Sequence, residues 1–334
     1  MGDVRALGEF GLIARLREAL AGPTDARLVL GIGDDAAAWR TDAGCALATT
    51  DTLVAGVHFL PDAVRWRDVG WKALAVNLSD IAAMGGVPSF ALVTLCLPPE
   101  TATAAVDELY AGLRACAVAY GVTVAGGDVV SAPCFSITVA LWGEAQMAGG
   151  EPRVLRRDAA CAGDAIAVTG ALGGSAGGLR ALREGRAQDP ALSPLVGRHV
   201  RPAPRVESGA AAALAGVRCA IDVSDGLLQD LGHVCAASGL GADLDAAALP
   251  IDPALESAYP EDALASATTG GEDYELLLIA PEAVLDAVRA RTRTPLHVIG
   301  RMVERAGHDV RLLDARGRDI APRTRGWDHL RGDA

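Results

Sequence analysis

Apolar residues recur along this chain at two spacings, and their alternation predicts strands and helices in turn. Gly8 to Leu20 carries Phe10, Ile13, Leu16 and Leu20 at helical spacing and is stopped by Gly22-Pro23. Arg27 to Ile32 and Cys45 to Thr50 read as strands, Trp71 to Met84 as a helix ended by Gly85-Gly86 and Pro88, and Phe90 to Leu97 as a strand. Ala102 to Ala119 follows as a helix, and Val122 to Ala125 and Phe135 to Gly143 as strands. A joint rich in Gly, Pro and Arg between Ala148 and Asp164 separates this block from a second of the same style. The second block holds a strand at Ala165 to Thr169, a helix around Gly177 to Arg186, a proline-punctuated loop from Pro190 to Pro204 and a helix at Val206 to Ala215. A strand running into a turn over Ala220 to Gly226, helices at Gly226 to Ser238 and Glu282 to Arg291, and strands at Glu275 to Ala280 and His297 to Gly300 complete it. The expected fold class is α+β, as two α/β sandwich domains spanning 1–148 and 149–334.

Composition narrows what these domains can do. With 334 residues, 51% of them hydrophobic, the chain can bury two cores. A net charge of −12 without a dense Lys/Arg run argues against a nucleic-acid partner. Seven cysteines with no Cys-x-x-Cys pair suit isolated thiols in a reducing compartment. No signal core or membrane-length apolar run is present, so the expected location is cytoplasmic. Lys72 is the only lysine, a usage that reflects composition more than function, and a Gly-x-x-x-x-Gly-Lys-Ser/Thr phosphate loop is absent.

Candidate chemistry comes from where the acids fall. Asp34-Asp35 follow the first strand, Asp51 follows Thr49-Thr50, and Asp128 follows a short strand through Gly126-Gly127. Asp80 sits in an otherwise apolar helical run, where an unpaired carboxylate is costly to bury. Asp222 and Asp225 repeat the strand-then-acid pattern in the second block. Taken singly, each has an ordinary reading: Asp-Asp after a strand is usually a solvated turn, and Ser224-Asp225-Gly226 before a helix is usually a cap. Gathered together, such carboxylates repel unless they are protonated or share multivalent cations. Oxygen donors without paired His or Cys ligands favour Mg²⁺. Several Mg²⁺ ions among carboxylates suit phosphoryl transfer, with Gly126-Gly127-Asp128 letting backbone amides approach phosphates and Arg157 offering a forked clamp.

The order of motifs then carries a resemblance over nearly the whole chain. Gly8-Glu9-Phe10, Gly31-Ile32-Gly33-Asp34-Asp35, Thr50-Asp51-Thr52-Leu53-Val54, His58-Phe59 and Lys72 through Asp80 lead the series. Gly126-Gly127-Asp128, Ile221 through Leu227 and Gly270-Gly271-Glu272-Asp273-Tyr274-Glu275-Leu276 complete it. Together they resemble the thiamine-monophosphate kinases, whose fold is shared with aminoimidazole ribonucleotide synthetase and selenophosphate synthetase. The resemblance implies two α/β domains of that fold, with N-terminal sheets paired in a homodimer. It implies ATP as co-substrate, thiamine monophosphate as acceptor and several Mg²⁺ ions held by Asp35, Thr49, Thr50, Asp51, Asp80, Asp128, Asp222 and Asp225. Tyr110, Gly127, Asp128, Arg157 and Ser224 are then expected at ATP, and His58, Glu272 and Trp327 at the acceptor. Arg156, beside Arg157, is the competing clamp. Selenophosphate synthesis does not suit residues 1–25, which contain neither Cys nor Lys. A different phosphate acceptor, or a nucleotide or metal sensor without turnover, are the other readings.

Overall fold

The computed structural model describes residues 11, 13–14, 26–42, 44–305, 307 and 309–327, so most of the helix expected over Gly8 to Leu20 lies outside the described residues. The first unit comprises β1 (Leu28–Leu30), β2 (Ala37–Thr41), β3 (Gly44–Val54), α1 (Trp66–Ala83), β4 (Gly86–Leu97), α2 (Thr103–Tyr120), β5 (Thr123–Ser131), β6 (Ser136–Ala148) and β7 (Glu151–Arg153). Its strands form a mixed sheet in the order β1-β2-β3-β6-β4-β5, with β7 folding back onto β6. Among the described strands of this sheet only β4 and β5 run parallel. Alternation along β3 and β6 turns Cys45, Leu47, Leu53, Ile137, Val139 and Leu141 into one buried layer, against which α1 and α2 lay Leu74, Leu78, Ile81, Leu109 and Leu113. Each such side chain contributes roughly 1.5–3 kcal/mol by leaving water.

The second unit comprises β8 (Ala165–Thr169), α3 (Gly174–Arg183), α4 (Ser193–Val200), α5 (Val206–Ala215), β9 (Cys219–Asp222), α6 (Leu227–Ser238), β10 (Gly241–Asp245), α7 (Pro253–Ala258), α8 (Ala263–Thr269), β11 (Leu276–Ala280), α9 (Glu282–Arg289), β12 (Leu296–Val303) and β13 (Val310–Leu313). Its sheet runs β13-β10-β12-β8-β11-β9. Strands β8 and β11 are buried on both faces, which is why they read as unbroken apolar runs. One face packs on α6 through Leu227, Leu231 and Val234, the other on α5 and α9 through Ala212, Leu285 and Val288. Ala82 and Ala83, at the end of α1, belong to that second core, so α1 reaches from one unit into the other. No helix of the described residues is long and apolar enough to cross a membrane.

Three expectations change. Asp51 does not follow its strand but lies inside it, because β-branched Thr50, Thr52 and Val54 keep pairing with β6 as far as Ser136. Gly126, Gly127 and Asp128 likewise continue β5 beside β4. A Cβ on Gly127 would stand 1.8 Å from the Val93 carbonyl oxygen, so this close approach needs glycine. The loop expected from Pro190 to Pro204 contains helix α4, whose first turn accommodates Pro194 because an N–H there has no helical partner to lose.

Candidate active site

Both units contribute to a cavity of about 760 Å³. Asp51 from β3, Asp80 from α1, Asp222 from β9 and Ser224 and Asp225 from the loop after β9 line it, with His58, Glu272 and Trp327. Asp80 and Asp222 form its acidic floor and Asp35 adjoins them, each of the three offering a carboxylate oxygen within 4.8 Å of the others. Thr49 donates its hydroxyl to Asp80 Oδ2 at 2.5 Å, and Ser79 donates to Asp222 Oδ2 at 2.6 Å. Asp35 is held by Arg157, whose Nη2 and Nε lie 2.6 and 3.1 Å from its two oxygens. The Arg157 backbone N–H also donates to Asp34 Oδ2 at 3.2 Å. Arg156 turns outward to Asp158.

Electrostatics on the floor is unbalanced. Burial pushes the Asp80 carboxyl well above its ordinary value, and Asp51, Asp222 and Asp35 push it further, against the hydroxyl of Thr49. Asp222 is raised by burial and by Asp35, with Ser79 and Arg157 pulling back. Asp34 is raised to about 6 by burial and by Asp35 beside it.

Two loops shape the rest. The N–H groups of Ser224, Asp225 and Gly226 all donate to Asp230 Oδ2, at 3.0–3.1 Å, which folds the turn that presents Ser224 and Asp225. Glu272 and Tyr274 adopt left-handed backbone, with φ of 67° and 51°, and donate their N–H groups to the carbonyls of Ser224 and Val223. Non-glycine residues take that conformation only when their surroundings impose it. Asp273 between them accepts from the N–H groups of Gly173 and Ser175 at the start of α3, and burial still raises it to about 7. Trp327 is tied down by its N–H on the Asp225 carbonyl and by Gln229, which donates to the Trp327 carbonyl.

Not every candidate converges. Tyr110, Gly127 and Asp128 line a second cavity of about 360 Å³ beside β5. Thr52, Thr138, Thr94 and Asp128 share one row across β3, β6, β4 and β5, which sets Asp128 three strand spacings, about 14 Å, from the Asp51 strand. Thr50 turns its hydroxyl to the Val139 carbonyl on the face away from Asp51. Sequence reasoning missed Asp230, Asp273 and the partners of Glu272: Lys72, His199 and, through His199, Ser175. A lone lysine in an apolar helical run was the available signal for the first of these partners.

The family described as AIR synthase related protein matches with its N-terminal domain over residues 33–145 and its C-terminal domain over 162–312. The thiamine-monophosphate kinase of Escherichia coli (strain K12) is 40% identical over 97% of this chain and 99% of its own length. A solved structure described as AaThiL complexed with AMPPCP and TMP superposes with a TM-score of 0.85 at 32% identity, covering 98% of this chain and 99% of that one. The thiamine-monophosphate kinase structure from Stenotrophomonas maltophilia K279a gives 0.74 at 38% identity, covering 90% and 94%.

Proposed function

The chain belongs to the thiamine-monophosphate kinases of the AIR synthase related family, and we propose that it passes the γ-phosphate of ATP to thiamine monophosphate by direct in-line transfer. The observation that carries this reading is the convergence of Asp35, Asp80 and Asp222, from a loop, a helix and a strand, at a cavity whose floor Asp80 and Asp222 line. Three carboxylates with hydroxyl neighbours and no imidazole or thiolate fit Mg²⁺ by donor chemistry, and their mutual repulsion is what a divalent cation relieves. Asp35, Asp51, Asp80, Asp222 and Asp225 would hold several Mg²⁺ ions, with Thr49 beside them. When bound, Mg²⁺ neutralises charge on the phosphate oxygens.

The chain's own residues do the positioning. Arg157, which covers both oxygens of Asp35 here, would turn its fork to a nucleotide phosphate, and Ser224 lines the cavity. His58, Glu272 and Trp327 line the same cavity and would take the acceptor's aminopyrimidine and thiazolium rings. The acceptor's own phosphate oxygen is the nucleophile and is already ionised near neutral pH, so no strong general base is needed and no phosphoenzyme forms.

Tyr110, Gly127 and Asp128 enter through a homodimer. The outer face of the first sheet exposes Phe90, Leu92 and Val130 at 56, 42 and 44%, a patch that a second copy's sheet would cover. Pairing there supplies a second Gly126–Asp128 edge, which supports a site shared between subunits. Phe90→Glu should give an inactive monomer by sedimentation velocity; a fully active monomer refutes the shared site. The reaction itself is tested by ADP release with ATP and Mg²⁺. Thiamine monophosphate should stimulate it with equal thiamine diphosphate formed, and free thiamine should not. Binding of ATP without stimulation by thiamine monophosphate would sink the reading.

A further inference from the structure

Lys72 is the chain's single lysine, and its ammonium is buried. It donates to Glu272 Oε1 at 2.7 Å and to the His58 carbonyl at 3.3 Å. His199 Nδ1 lies 3.3 Å from Glu272 Oε2 and 3.0 Å from the Ser175 hydroxyl. Both carboxylate oxygens are therefore engaged, yet a quarter of the Glu272 side chain remains open to the cavity. The four residues come from α1, α4, α3 and the loop before β11, so no local turn or cap requires them to meet.

Stability gives little reason for this arrangement, since an apolar pair of similar volume would fill the space without desolvating an ammonium. Function gives one. A site that must gather divalent cations would recruit any bare carboxylate on its wall as a further ligand. Glu272 is withheld from that fate by a full positive charge on one oxygen. His199 is neutral, its pKa pushed down to about 3 by burial and then by Lys72, so it adds direction and no charge. The left-handed backbone at Glu272 fixes the base of the same side chain.

We propose that Lys72 and His199 are positioning residues for the phosphate acceptor. They reserve Glu272 as a charge-compensated, directionally fixed hydrogen-bond acceptor for an amine-bearing heterocycle and keep it out of the metal set. The proposal rests on the reading that Glu272 contacts the acceptor. Lys72 and Asp80 stand eight residues apart on α1, about 12 Å along its axis, so one rigid element sets acceptor wall and metal floor at a fixed separation.

Steady-state kinetics of Lys72→Met, Lys72→Arg, His199→Asn, Glu272→Gln and the double variant Lys72→Met/Glu272→Gln tests this. Lys72→Met should raise KM for thiamine monophosphate about tenfold or more and move KM for ATP by less than about twofold, with Lys72→Arg recovering part of the loss. His199→Asn should move the same constant in the same direction. On the Glu272→Gln background, Lys72→Met should add less than about twofold, since no charge is left to compensate. If Lys72→Met lowers kcat and melting temperature with both KM values unchanged, the pair is structural and the proposal fails. Should Lys72→Met not fold, an unchanged acceptor KM in His199→Asn overturns it equally. If Glu272→Gln itself leaves the acceptor KM unchanged, the acceptor reading of Glu272 fails first, and the two failures are told apart.

Discussion

Two walls of one cavity handle charge in opposite ways. On the floor, Asp35, Asp80 and Asp222 crowd together, with Asp51 close enough to raise the last two and Arg157 the guanidinium that balances the group. On the wall proposed for the acceptor, Glu272 meets Lys72 at 2.7 Å, and although burial pushes its carboxyl up, Lys72 holds it below the ordinary value. Helix α1 serves both, offering Lys72 to one and Asp80 to the other. Glu272 has its charge compensated as it stands, whereas the floor gathers its carboxylates around the single guanidinium of Arg157. A protein can thus preorganise recognition and leave catalysis conditional within a few turns of one helix.

The largest expected effect breaks the floor. Asp222→Asn should lower turnover by about three orders of magnitude, the scale of losing direct stabilisation of transition-state charge. In EDTA at neutral pH its melting temperature should not fall below wild type, because one repelling charge has gone while Ser79 can still donate to the amide oxygen. The sign with pH follows from the raised carboxyl. A folded-state value above the unfolded one means that wild type takes up a proton, and gains stability, as pH falls through the folded value toward the ordinary carboxylate range. Any advantage of Asp222→Asn should therefore shrink as pH falls from neutral toward the ordinary carboxylate range. A variant that melts well below wild type in EDTA, at every pH, would mean that the floor is a stabilising network and that the contrast with the acceptor wall is false.

The same contrast governs what could be read from sequence. Apolar periodicity locates β8 and α5 to the residue, because each is defined by neighbours a few positions away. The floor is also visible, as acids punctuating apolar elements: Asp35, Asp80 and Asp222 are candidates before any coordinates. The wall is not. Lys72 meets a residue 200 positions later, His199 sits in a stretch whose prolines suggest a loop, and a single lysine in an arginine-rich chain looks like composition. Asp230 reads as an ordinary helix acid until three backbone N–H groups are seen converging on it. Pairs of opposite charge leave no local signature, whereas like charges forced together leave one in the cost of each acid's setting. The split between Asp51 and Asp128 is hidden for a different reason: strand order, here β3-β6-β4-β5, is not encoded in periodicity.

A smaller effect sharpens the contrast by testing the floor's guanidinium against its neighbour. Arg157 sits between Asp34 and Asp35, whose side chains are 6 and 1% exposed, whereas Arg156 pairs with Asp158 in solvent. Arg157→Met should destabilise the metal-free protein by about 3 kcal/mol in urea unfolding, because it leaves buried carboxylates uncompensated. Arg156→Met should move stability by less than about 0.5 kcal/mol, as exposed pairs do. Added Mg²⁺ should narrow the first gap and leave the second alone, since a bound cation replaces the charge that Arg157 supplies to Asp35. Equal stability of the two variants would show that the floor sheds its charge by protonation, which burial favours at Asp80 and Asp222. In that case the floor is balanced without Arg157, and the difference between the two walls lies in protons, not in waiting for metal.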